Sequence, residues 1–118
     1  MKALGTHIVC ELSGCDPTAL SDVDGVHAMM VAAARAANAT ILQSSFHRFE
    51  PQGVSGTVIL AESHLSIHTY PEHGIATLNL YCCRPRARLE GFRWHAELME
   101  ALGARSVDVR VVDRGTEE

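Results

Sequence analysis

Ser63 stands in the run Glu62-Ser63-His64-Leu65-Ser66-Ile67-His68. A serine hydroxyl becomes a useful nucleophile when a base or a second proton-transfer group lies beside it. Two such groups are near in sequence, His68 further along the chain and Ser55 before it. Residues 54–61 and 64–70 read as strands joined by a tight reversal at Ser63, and their pairing as a hairpin is expected to bring Ser55 and His68 close to Ser63. Two hydroxyls and an imidazole would then share one small space. Taken singly, each residue has a plainer reading: a turn serine, a strand-edge hydroxyl and a strand histidine. His64, His68 and His73 lack a carboxylate or further histidine at a familiar ligand spacing, so no metal is expected.

The elements that must position these groups follow from periodicity. Residues 6–13 read as a strand with Ile8, Cys10 and Leu12 on one face. Asp16-Pro17 is a helix start, a capping carboxylate before a proline suited to the first helical position. Leu20, Val23, Val26, His27, Met30, Ala33 and Ala34 then recur at helical spacing, which predicts one helix ending near Ala37-Asn38. Strands are expected over 40–49, 54–61, 64–70 and 75–83, with turns at Pro51-Gln52-Gly53 and Pro71-Glu72-His73-Gly74. A second helix over 86–102 would turn Leu89, Phe92, Ala96, Met99 and Leu102 inward, with Gly103 as its stop. Val107, Val109 and Val111 alternate in a last strand over 107–112. The order β-α-β-β-β-β-α-β implies an α+β fold, a two-layer sandwich of an antiparallel sheet with two helices on one face. Several strands read as apolar on both faces, so a homodimer packing sheet against sheet is expected to cover the other side.

The bulk composition narrows the class. A chain of 118 residues, 47% hydrophobic and 20% charged, suits one globular domain. Its formal net charge of -4 argues against a dedicated nucleic-acid binder. No apolar run approaches the roughly 20 residues needed to cross a bilayer, and no secretory leader is evident. A cytoplasmic location is therefore expected, with Cys10, Cys15, Cys82 and Cys83 as thiols and not disulfides. Most of them read as small buried hydrophobes.

The segment Ala61-Glu62-Ser63-His64-Leu65-Ser66-Ile67-His68-Thr69-Tyr70-Pro71-Glu72 resembles the processing motif of the prokaryotic S-adenosylmethionine decarboxylases. The stretch from Ser45-Phe46-His47-Arg48-Phe49 through Pro51-Gln52-Gly53-Val54-Ser55-Gly56 is similar to that family as well, as are Gly14-Cys15-Asp16 and Gly103-Ala104-Arg105. The resemblance implies that the Ser63 hydroxyl attacks the Glu62 carbonyl in an N-to-O acyl shift. Elimination would then divide the chain into 1–62 (β chain) and 63–118 (α chain). Residue 63 would become a covalent pyruvoyl cofactor that forms a Schiff base with the substrate amine and accepts the electron pair left by carbon dioxide. It further implies processing roles for Ser55 and His68, a proton-donor role for Cys83, and substrate contacts from Phe49, Tyr70 and Glu72. Aromatic faces suit a sulfonium cation bearing a flat adenine. The implied activity is decarboxylation of S-adenosylmethionine to the aminopropyl donor for spermidine synthesis, at a site formed in the interface of a homodimer of αβ units.

The chain departs from the family pattern in places. Arg84-Pro85-Arg86-Ala87-Arg88 replaces a Gly-Asp start after Cys83, Cys82 replaces a more usual threonine, Asn79 stands where aspartate is common, and Tyr70 stands where tryptophan is frequent. An altered pocket keeps arginine or ornithine as alternative substrates. A non-catalytic binding or regulatory homologue is the alternative from outside enzymology. Retention of Ser55, Ser63, His68 and Cys83 together weighs against it.

Overall fold

The computed structural model describes residues 2–61, 63–82 and 94–117. Strand β1 (Lys2–Ser13) is followed by a short helix α1 (Pro17–Ser21), whose start is the expected one: the Asp16 carboxylate accepts the Thr18 N–H at 3.0 Å and Pro17 opens the first turn. The single helix expected up to Ala37 is instead two. At Asp22 the backbone turns extended (φ -88, ψ 95), and its carboxylate accepts the Gly25 N–H at 3.1 Å to cap α2 (Val23–Ala36). A cap of this kind stabilises a helix start by about 1 kcal/mol. The apolar spacing runs on across the break, so periodicity alone does not register it.

Strands β2 (Ile41–Arg48), β3 (Val54–Leu60), β4 (Ser63–Tyr70) and β5 (Ile75–Cys82) follow, with a 3-10 turn at Pro71–His73 between β4 and β5. Helix α3 (Trp94–Leu102) and strand β6 (Ser106–Glu117) complete the chain. β6 is longer than the alternation of its valines suggested, because it pairs with β1 over nearly its whole length. The residues expected to begin the second helix, including Leu89 and Phe92, lie outside the described residues. Leu98, absent from its expected inner face, is fully buried beside Leu102.

The six strands form one antiparallel sheet in the order β2-β3-β4-β5-β1-β6. Alternation sends Ile8, Cys10 and Leu12, then Val54 and Val58, Leu65 and Ile67, and Ala76, Leu78 and Leu80 to one face, where they pack with Leu20, Val26, Met30 and Leu98 from the helices. Thr69, 2% exposed, is with Thr6 one of two buried polar residues in this layer among the described residues. Its hydroxyl donates to the Leu20 carbonyl at 2.8 Å and accepts from the Val54 N–H at 2.9 Å, joining α1 to the β3–β4 pair.

The opposite face of the sheet, called the open face below, is not apolar as expected. Its rows are His7, Tyr81, His64 and Ile59, then Val9, Asn79, Ser66 and Thr57, then Glu11, Thr77, His68 and Ser55. Polar residues dominate it, so hydrophobic burial by itself does not call for a partner there. No helix among the described residues is long and apolar enough to cross a membrane.

Candidate active site

The expected hairpin forms, with β3 and β4 in register from Ser55↔His68 to Leu60↔Ser63. Ser55 and His68 are therefore direct cross-strand neighbours on the open face. Ser63 is not with them. It is the first residue of β4, half-buried at the rim of the sheet between Leu60 and Cys82. It shares its face with Leu65 and Ile67, whereas His68 shares the other with His64 and Ser66. Along the strand the two are roughly 16 Å apart at about 3.3 Å per residue. The expectation that one hairpin gathers all three residues is thus corrected: His68 lies five positions along the strand from Ser63, an odd offset that puts it on the opposite face.

Around His68 the open face carries a cluster of rings. The Phe49 centroid is 5.7 Å from His68, Tyr70 is 4.7 Å from His68, His47 is 4.8 Å from Phe49, and His73 is 6.5 Å from Tyr70. Phe49 and Tyr70 remain 39% and 40% exposed, so their faces are available to a ligand. Ser45, His47, Phe49, Ser55 and Thr57 line a shallow concavity beside them. Phe46 lies on the opposite side of β2 and stacks on His27, which bonds Ser44 at 2.9 Å and fastens the edge strand to α2. Gly56 is required there, since a Cβ would overlap the Phe46 ring.

The loop from Phe49 to Gly53 completes this end. The Phe49 N–H donates to the Gly53 carbonyl at 2.8 Å, and Gly53 has φ 106, a region that side chains rarely adopt. Glu72 sits in the 3-10 turn after Tyr70 and accepts a 3.0 Å bond from the Gln52 amide. Phe49, Ser55, His68, Tyr70 and Glu72 are thus grouped at one end of the open face.

The other end, next to Ser63, holds residues that the motif reading passed over. His64 stacks on Tyr81 at 5.7 Å, and His7 meets the edge of the same ring at 6.0 Å. Arg114 lies 3.1 Å from His7 Nδ1, and the His7 Nε2 atom is buried without a hydrogen-bond partner among the described residues. Burial first, then the Arg114 guanidinium and His64, push the His7 pKa below its ordinary value, with Asn79 pulling the other way. Alternation against Ile8 already assigns His7 to the open face. Glu62 and Cys83 lie outside the described residues.

Cys10 and Cys15 are buried, as expected of small hydrophobes. Burial, followed by Asp108 and Glu11, pushes the Cys10 thiol up to about 11, and burial raises Cys15 too. Neither is a ready nucleophile.

Residues 6–115 match the S-adenosylmethionine decarboxylase family. The chain belongs to that family. An S-adenosylmethionine decarboxylase proenzyme of Acidithiobacillus ferrooxidans is 46% identical over 115 residues, covering 98% of this chain and 85% of the relative. One from Geobacillus kaustophilus is 42% identical over 115 residues, covering 98% and 90%. One from Thermodesulfovibrio yellowstonii is 51% identical over 83 residues, covering 70% and 62%. The crystal structure of the adenosylmethionine decarboxylase from Aquifex aeolicus VF5 superposes with a TM-score of 0.85 at 35% identity, covering 100% of this chain and 96% of that one. The α+β sheet-and-helix architecture of this family member is therefore shared with a solved relative.

Proposed function

We propose that this chain is a self-cleaving, pyruvoyl-dependent S-adenosylmethionine decarboxylase that makes the aminopropyl donor for spermidine. The observation that carries the reading is the place of Ser63. It opens β4 at the sheet rim and is held by pairing with Leu60 on one side and Cys82 on the other. A cut between Glu62 and Ser63 falls at the start of that strand. β3 stays held by β2 and β4, and β4 by β3 and β5, so the sheet survives division into 1–62 and 63–118. A serine at a new chain end is also the residue type that a pyruvoyl group requires. Such a group supplies an electron sink for the bond broken when carbon dioxide leaves.

The other residues take roles that fit their places. His68 and the neighbouring Ser55 move protons during self-cleavage. Cys83, which follows the last residue of β5, returns a proton to the substrate carbon. Phe49 and Tyr70 offer ring faces to the adenine and the sulfonium. Glu72 offers a carboxylate to ribose hydroxyls and positive charge.

Ser63 and His68 of one chain are too far apart to act together, so the reading includes a homodimer packed through the open face. A two-fold axis between the sheets, across the strands at the level of Ser66 and Asn79, sets the His64 end of one chain over the His68 end of its partner. Each site then takes Ser63 and Cys83 from one chain and Phe49, Ser55, His68, Tyr70 and Glu72 from the other. Ser63 starts on the helix-side face at the rim, so the reading requires residue 63 to turn across that rim to meet the partner's open face.

The test has two steps. Intact mass of the purified protein is expected to show two fragments divided at Glu62/Ser63, with the C-terminal one lacking a free amine. Carbon dioxide release from S-adenosylmethionine, arginine and ornithine, assayed side by side, is expected only from the first. A chain that stays whole would remove the catalytic reading, and turnover of arginine or ornithine alone would replace the substrate.

A further inference from the structure

Gln52 has no part in the roles above, yet its side chain makes a long-range bond at the aromatic end of the open face. Its amide nitrogen donates to Glu72 Oε2 at 3.0 Å, between residues 20 apart in sequence. The loop that carries it is seated firmly. Phe49 N–H closes it on the Gly53 carbonyl, and Gly53, at φ 106, holds a backbone conformation that side chains rarely adopt and lies beside Thr69 and Pro71. One short loop therefore sets both the Phe49 ring beside His68 and the amide that holds Glu72.

The chemistry of the pair is selective. Among the described residues no cation pairs with Glu72, and Arg48, at the end of β2, is bonded to Glu50 at 3.0 Å. A neutral amide fixes the carboxylate without cancelling its charge. It occupies one oxygen and leaves Oε1, with its lone pairs, to accept from a ligand. A carboxylate held in this way suits a vicinal diol on a cationic nucleoside. A lysine or arginine at position 52 would tether it equally well but neutralise it.

We infer that Gln52 is a positioning residue for substrate binding, holding Glu72 so that its free oxygen meets the ribose hydroxyls of the sulfonium nucleoside. This rests on the substrate role proposed for Glu72. It concerns binding and not the cut, because the bond runs to Glu72, whose proposed role is with the substrate and not in cleavage.

The experiment is a double-mutant cycle of Gln52→Ala and Glu72→Ala, with cleavage followed by intact mass and decarboxylation by steady-state kinetics on S-adenosylmethionine. Gln52→Ala is expected to cleave normally, keep kcat within about twofold and raise KM roughly three- to tenfold, the scale of one side-chain hydrogen bond. In the Glu72→Ala background the same change is expected to add nothing. Gln52→Lys, which keeps the tether and cancels the charge, is expected to raise KM at least as much as Gln52→Ala. If Glu72→Ala raises KM but Gln52→Ala does not, or if the two effects simply add, the positioning role is overturned while the Glu72 reading stands. If Glu72→Ala leaves KM unchanged, the Glu72 reading falls and takes the inference with it.

Discussion

Around Phe49 and Tyr70 the open face is tied down by bonds between distant segments. Thr69 links Leu20 to Val54, Gln52 reaches Glu72, and Phe49 closes on Gly53. Around Ser63 the sheet reaches its rim, and the half-buried His7 keeps a ring nitrogen without a hydrogen-bond partner among the described residues. One end is built to hold rings and a carboxylate in place. The other is where the proposed cut falls. The two ends belong to the same strands and are separated by the length of β4, so in the proposed reading each site draws on two chains.

The largest expected effect lies at the rim. Ser63→Ala removes the hydroxyl proposed to attack the Glu62 carbonyl, so mass spectrometry is expected to find one uncut chain with no carbon dioxide release. Its sheet and thermal stability should stay near those of the parent, since Ser63 packs little. Next in size is Thr69→Val, which keeps the shape but strips partners from the buried Val54 N–H and Leu20 carbonyl. Chemical denaturation is expected to show a loss of about 1–3 kcal/mol, concentrated at the aromatic end. An unchanged midpoint would mean that this end is not held as described.

Phe49→Ala tests recognition apart from cleavage. The chain is expected to divide normally and KM for S-adenosylmethionine to rise roughly three- to tenfold, as the loss of a ring face toward a cation implies. Slower cleavage with KM unchanged would blur the division between the ends. The smallest effect concerns pH. The His7 pKa is lowered on folding, so the unfolded chain takes up its proton first and stability falls as pH drops below the ordinary value of 6.5. His7→Gln is expected to flatten that slope, read from denaturation midpoints between about pH 7 and pH 5, around the unperturbed histidine pKa.

Much of this layout is written in short-range features. The Asp16-Pro17 pair marks a helix start, and the alternation Leu65, Ile67 against His64, Ser66, His68 assigns both faces of β4. The distance between Ser63 and His68 is legible as well, because an odd spacing on a strand puts two residues on opposite faces. Pairing in a hairpin suggests proximity only for residues in register, as Ser55 and His68 are. The break at Asp22 is harder to read, since a cap interrupts hydrogen bonding without interrupting the apolar stripe. The polar nature of the open face depends on strand neighbours distant in sequence, such as His7 beside Tyr81. The long-range Gln52–Glu72 bond has no local signature at all.

In the proposed dimer, Ser63 of one chain is served by His68 of its partner. Co-expression of two differently tagged chains, one Ser63→Ala and the other His68→Ala, tests it directly by intact mass of each. Alone, neither variant is expected to be cut. Together, the His68→Ala chain is expected to divide between Glu62 and Ser63, using the histidine of the Ser63→Ala chain. A His68→Ala chain that stays whole in the mixture would contradict the account and place the working histidine in the same chain as the serine.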